Sequence, residues 1–258
     1  MDRQHALDGF LRYVGDYDPD NPRIRLKIDH TLRVAPLCER VATSLGLPAP
    51  EVDLAWLAGL LHDIGRFEQV RRYDTFNDAA SLPHAALSAS VLFDDPGPDG
   101  RPLIRSFVED DTDDEPLRIA IASHSDLRLP VDLDPRTRRL CELLRDADKI
   151  DILKVNCVCP IEDIYAVSEG DMRASRVSPA CVELFYQHAC LPRGVRRHPA
   201  DIMLGHICFA WEIVHGESLA IMREQGHLGQ MLSRHWDLPE TEAAFREMER
   251  HMRRELGL

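Results

Sequence analysis

Histidine and aspartate recur in this chain on helical stretches that are otherwise apolar: His30, the adjacent pair His62-Asp63, His84 and His124, followed by Asp146, Asp148 and Asp151. Neutral imidazole combined with carboxylate is a ligand set for Mn, Fe, Co, Ni or Zn, and apolar surroundings hold histidine in the neutral, metal-binding state. Any one of these histidines alone reads better as a satisfied core residue than as a ligand. Several together, each on an apolar face, point to a shared metal site. Adjacent helical residues project roughly 100° apart, so His62 and Asp63 can serve one site only at the edge of a cleft.

The elements that must position these groups are helices. Apolar positions recur at helical spacing through most of the chain, and alternating runs of β-branched residues are nearly absent, which predicts an all-α fold. From Ile24 to Leu45, Val34, Leu37 and Val41 follow His30 on one face, and Pro36 is expected to kink or divide that helix. From Pro50 to Ile64, Leu54, Leu57, Ala58 and Leu61 form a face that ends on His62-Asp63, with Gly65 placed as a left-handed C-terminal cap. A helix near Pro83 to Phe93 carries His84, and one from Pro116 carries His124 on the side of Leu117, Ala120 and Ile121. A helix from Pro135 to about Val155 carries the aspartates. Its apolar face, Leu140, Leu143, Leu144, Ala147 and Ile150, is centred closest to Asp151, with Asp146 and Asp148 near opposite edges. Periodicity leaves all three open. Beyond residue 160 the pattern is helical but interrupted, with a well-patterned segment from Asp201 to Val214.

Composition excludes several function classes. A formal charge of −13 with basic residues only in short clusters makes a nucleic-acid polymer a poor partner. The acidic run at 109 to 115 reads as a solvated loop preceding a helix. No apolar run approaches the roughly 20 residues that span a bilayer. Seven cysteines at irregular spacing, with no secretory leader, fit free thiols in a cytoplasmic protein. Cys157 and Cys159 form a lone C-x-C without the second pair of a zinc ribbon.

The order His30, His62-Asp63, then an aspartate in LLRDADKID, on an all-helical background, resembles the HD-domain metal-dependent phosphohydrolases over about residues 24 to 155. The stretch HDIGRFEQ is more specific than a bare His-Asp pair. His84 in PHAALSASVLF and His124 in IASHSDLRLP match, in order and setting, the two additional histidines of the two-metal members. The resemblance implies an HD-domain bundle at 1–160 and a dinuclear site with Asp63 bridging, while the interrupted helical pattern of 161–258 reads as a helical extension packed over the site or forming a homodimer contact. It favours Asp148 as the distal ligand, because Ala147-Asp148-Lys149-Ile150 has the expected flanks, and leaves Asp151 as a neighbouring contact.

That resemblance implies two divalent transition metals held by His30, His62, Asp63, His84, His124 and Asp148, with a hydroxide between them attacking the phosphorus of a nucleotide or another small phosphate ester. Arg66 stands where a basic residue contacts phosphate in related proteins, against a salt-bridged surface arginine as the bland reading. Arg71, Arg72 and Arg128 are weaker candidates, and Glu68 and Gln69 either orient ligands or cap the turn. Two rival readings use the same ligands: a di-iron oxygenase, disfavoured because its upstream tyrosine has no match in Asp18 to Arg23, and a nucleotide-sensing module without turnover. The GYP extension of cyclic-di-GMP enzymes is missing after Asp151.

Overall fold

The computed structural model describes residues 1–258 and is helical throughout, with no strand and a single isolated bridge between Pro96 and Pro102. The chain forms two compact units, Met1–Asp148 and Lys149–Leu258.

The first unit contains α1 (Arg3–Val14), α2 (Pro22–Ser44), α3 (Ala49–Leu61), α4 (Ile64–Tyr73), α5 (His84–Phe93), α6 (Asp114–Ser123) and the first part of α7 (Pro135–Val158). Helix α2 starts on Asn21, whose side chain accepts from the Arg23 amide, with Pro22 in the first turn, where its missing N–H costs nothing. Pro36 does not divide it: α2 runs unbroken to Ser44. The core gathers Val34, Cys38 and Val41 of α2, Leu57, Leu60 and Leu61 of α3, Phe67 of α4, Leu92 of α5, Ile121 of α6 and Leu144 of α7, all at most 2% exposed.

Two glycines allow the close helix contacts on which the site depends. A Cβ on Gly59 would stand 2.8 Å from the Ala35 Cα, so α3 meets α2 backbone to backbone. A Cβ on Gly65 would stand 2.4 Å from the Ser88 amide nitrogen, and the Gly65 amide donates to Ser88 Oγ at 3.0 Å. This corrects the expectation of a left-handed cap. Gly65 lies inside α4 and has no positive φ; it is glycine because α5 approaches too closely for a side chain.

The second unit contains the rest of α7 and α8 (Ile161–Tyr165), α9 (Glu169–Arg173), α10 (Pro179–Tyr186), α11 (Pro199–Ile207), α12 (Gly216–Gln225), α13 (His227–Leu232) and α14 (Pro239–Leu256). Its core includes Phe185, Met203, Leu204, Leu228, Leu232, Trp236, Phe245 and Met248. The well-patterned segment from Asp201 to Val214 lies on α11 and the 3-10 turn at Cys208–Glu212 that follows it. Buried Asp201 caps α11, accepting the amides of Ser178, Arg197 and His198 at 2.7, 2.8 and 3.0 Å. All seven cysteines are free thiols. No helix is long and apolar enough to cross a membrane.

Candidate metal centre

Helices α3 and α4 meet at His62-Asp63. His62 keeps helical backbone angles at the end of α3, and Asp63, at φ −105° and ψ 15°, turns the chain into α4. Asp63 occupies the N-cap position of α4 but makes no capping bond; its carboxylate, 2% exposed, is turned into the centre. The positive end of α4 favours an anion there.

Around this junction the structure gathers His30, His62, Asp63, His84, His124 and Asp148. His30 from α2, His84 at the start of α5, His124 at the end of α6 and Asp148 of α7 are all buried with His62 and Asp63. Three groups have donor atoms within 4.8 Å of one another: His30, His62 and Asp63; His62, His124 and Asp148; Asp63, His84 and His124. Asp148 Oδ1 is 3.1 Å from His30 Nε2 and 3.6 Å from His62 Nε2. Asp146 and Asp151 are buried too, but neither belongs to these groups. Burial therefore does not separate the three aspartates; Asp148 is the one grouped with His62 and His124.

The Asp63 carboxylate is divided between two histidine clusters. Oδ2 lies 3.6 Å from both His30 Nε2 and His62 Nε2. Oδ1 lies 3.8 Å from His84 Nε2 and 3.7 Å from His124 Nε2, and it is buried with no hydrogen-bond partner.

The tautomers follow from what each Nδ1 faces. His62 Nδ1 is 2.8 Å from the Gly59 carbonyl and His124 Nδ1 is 2.7 Å from the Ile121 carbonyl. His84 Nδ1 is 2.9 Å from Asp78 Oδ2. Carbonyl and carboxylate oxygens only accept, so each Nδ1 carries the proton and each neutral ring presents its Nε2 lone pair inward. The His84 and His124 Nε2 atoms then face each other at 3.1 Å, lone pair toward lone pair. A cation held by the two rings would turn that repulsion into coordination. This facing pair and the unpartnered Asp63 Oδ1 show that the side chains present fit a metal.

Electrostatics agree with that state. Burial, then the positive charge of Arg66, pushes His84 below the ordinary histidine range despite the opposing Asp78 and Asp63. Burial, reinforced by His84 and His62, pushes His124 down to about 3. Burial alone would raise Asp63, but Lys27, His62, His84 and Arg66 outweigh it and hold its carboxyl well below the usual carboxylate range. For Asp148 burial is likewise overcome, first by the hydrogen bond with His30 and then by the nearby His62, and its carboxyl is held well below the usual range.

Two residues of this environment escaped the sequence reading. Lys27 places Nζ 2.6 Å from Asp63 Oδ2. Its position three residues before His30, on the same helical face, was an available signal. Asp78, which holds His84, sits in a 3-10 turn at Asp78–Ala80, and nothing in its spacing distinguished it from other loop aspartates.

Arg66 is not a surface arginine: its side chain is 12% exposed, and Nη1 donates to Gln69 Oε1, the Phe76 carbonyl and Asp78 Oδ1 at 2.7, 2.8 and 3.2 Å. Its Nε is buried without a hydrogen-bond partner, 3.7 Å from Asp63 Oδ1. Gln69 Nε2 donates to Asp78, Ser81 and the Leu82 carbonyl, pinning the loop that carries Asp78. Arg71 and Arg72 both pair with Glu68, which also accepts from Tyr17 at 2.5 Å. Arg128 is exposed.

Comparison with known proteins places the motif in a family. The HD domain family model matches residues 28–155, a span that contains all six ligand candidates. A deoxyguanosinetriphosphate triphosphohydrolase-like protein of Corynebacterium diphtheriae is 52% identical over 52 residues, covering 20% of this chain and 11% of the relative. The chain thus spans about a tenth of that relative's length. No solved structure matches. Residues 28–155 of this chain thus belong to the HD domain family.

Proposed function

We propose that the protein is a metal-dependent phosphohydrolase with a dinuclear centre, acting on a nucleotide or another small phosphate ester. The observation that carries the reading is the divided Asp63 carboxylate, one oxygen toward His30 and His62 and the other toward His84 and His124. In this reading His30, His62, Asp63 and Asp148 hold one divalent transition cation, and His84, His124 and Asp63 hold the other. When bound, two such cations supply activated water and neutralise charge on the phosphoryl group.

The chain's own residues do the remaining work. Gly59, Ile121 and Asp78 fix the imidazoles in the tautomer that presents Nε2. Lys27 and Arg66 bring two positive charges to the Asp63 carboxylate, and they stand 5.6 and 5.2 Å from the Phe76 ring centroid. These cations oppose the acidity of the whole chain and favour an anionic substrate locally. A nucleotide is the preferred substrate class because the Corynebacterium relative is named for a nucleoside triphosphate.

The test is metal analysis of protein purified without chelator, followed by a panel of nucleoside mono-, di- and triphosphates and phosphodiesters, with Mn, Co, Ni or Fe added separately. Metal-dependent release of phosphate, pyrophosphate or triphosphate supports the reading. Oxygen consumption with iron and no release from any ester assigns the centre to the di-iron oxygenase chemistry. Tight nucleotide binding without product assigns it to sensing.

A further inference from the structure

A second pair of histidines faces ring to ring in Lys149–Leu258. His188 Nε2 and His251 Nε2 stand 3.1 Å apart, a separation close to those at the HD centre. Two imidazole nitrogens bound to one cation at about 2.0–2.1 Å lie roughly 2.9–3.4 Å from each other for bond angles near 90–110°. The pair therefore has the bite of a chelate before any ion arrives.

Both rings are held from outside the pair. His188 lies just past the end of α10 with φ of 54°, where helices ordinarily place glycine or asparagine. Its amide donates to the Phe185 carbonyl at 3.0 Å, locking that left-handed turn. The imidazole stacks on the Trp211 indole, with centroids 4.0 Å apart and planes 11° from parallel. His251 projects from α14 against Phe185, Tyr186 and Trp211, at centroid distances of 5.9, 5.1 and 6.1 Å. A β-substituted residue in left-handed backbone costs energy that a bare turn does not require, and such positions concentrate at functional sites. His188 is exposed and His251 partly so, which leaves the remaining coordination positions to water.

We propose that His188 and His251 form a metal site separate from the HD centre, binding one divalent cation of the imidazole-preferring class, Cu, Ni or Zn. The site rests on α10, α14 and the Trp211 segment alone, so it stands or falls independently of the proposed hydrolase activity.

Stacking on Trp211 supplies the readout. Metal-stripped full-length protein is titrated with Ni2+ by calorimetry and with Cu2+ by tryptophan fluorescence, alongside His251→Gln, His188→Asn and Trp211→Phe. Asparagine is chosen at 188 because it tolerates the left-handed backbone. Wild type is expected to bind one equivalent more than either histidine variant, or to bind that equivalent at least about tenfold more tightly, since losing a ligand costs no less than losing a residue that supports one. The Cu2+ quench associated with that equivalent should disappear in Trp211→Phe while the equivalent itself remains. If both histidine variants keep the wild-type stoichiometry and quench midpoint, the pair is only an N–H···N hydrogen bond and the proposal is overturned. Quenching that persists undiminished in Trp211→Phe also overturns it, whatever the histidine variants do.

Discussion

Lys27 Nζ lies 2.6 Å from Oδ2 of Asp63, the same oxygen that faces His30 and His62. An ammonium thus holds the central carboxylate in the metal-free chain and competes with a metal for it. Removing one partner of such a buried pair strands the other charge, at a cost of about 3 kcal/mol. Lys27→Met is expected to lower the melting temperature in chelator and to recover most of that loss in saturating Mn2+, which replaces the missing positive charge. Thermal melts with and without metal check this; an equal loss in both conditions would show that Lys27 only packs.

The two clusters joined by Asp63 should empty separately. His84→Ala or His124→Ala is expected to lose one equivalent of metal and keep the other, with helical content retained. Asp63→Ala should lose both equivalents or leave them weakly bound, and abolish turnover. Metal analysis after gel filtration reads this, and unchanged content in both histidine variants would reduce the centre to a single metal.

Asp78 is not among the proposed ligands, yet it accepts the Nδ1 proton of His84. Asp78→Ala should weaken the cation held by His84 and His124 about 10–100-fold and leave the other unaffected. Competition with a chromogenic chelator separates the two affinities. Equal weakening at both positions would show loop collapse.

Metal-free stability should fall with acid. His124 is pushed down to about 3 by burial and by neighbouring His84 and His62, against roughly 6.5 in an unfolded chain. Between those values the unfolded state takes up a proton that the folded state refuses, so stability declines as pH drops through the window and is independent of this group above it. Asp63 and Asp148, both held well below the usual range, add a loss only at lower pH, where the unfolded carboxylates protonate. Chelator-treated protein melted from pH 7 to 4 should show the slope, and His124→Gln should flatten it; a wild-type melting point constant across that range would refute the assignment.

Gly65→Ala tests how the helices are brought together. The added methyl would stand 2.4 Å from the Ser88 backbone, which cannot rotate away. The expected loss is about 1–3 kcal/mol, the range for overpacking, accompanied by weaker metal binding at His84 because α5 must retreat from α4. An alanine variant with unchanged stability would mean the contact is looser than the structure has it.

Much of this was legible in the residues themselves. Helical periodicity located the helices that carry His30, His62, His84 and His124, because an amphipathic face records burial directly. The order of ligands carried the family. What periodicity could not carry was direction: it centred the α7 face on Asp151, whereas the structure brings Asp148 to His30 and His62. A helical wheel says which side of a helix is buried, and Asp146, Asp148 and Asp151 are all buried; only the neighbouring helices decide what each one faces.

Gly65 was misread for a related reason. A glycine after an apolar run looks like a cap when only its own helix is considered, and its true cause is the backbone of α5, a segment more than twenty residues away. Lys27, Asp78 and the pairing of His188 with His251 likewise depend on contacts between elements distant in the chain. Local physics therefore determined the helices, their buried faces and the candidate ligands. Which of those candidates meet, and in which tautomer, was decided by tertiary packing, because a cluster of donor atoms is a property of distances between elements and no single element contains them.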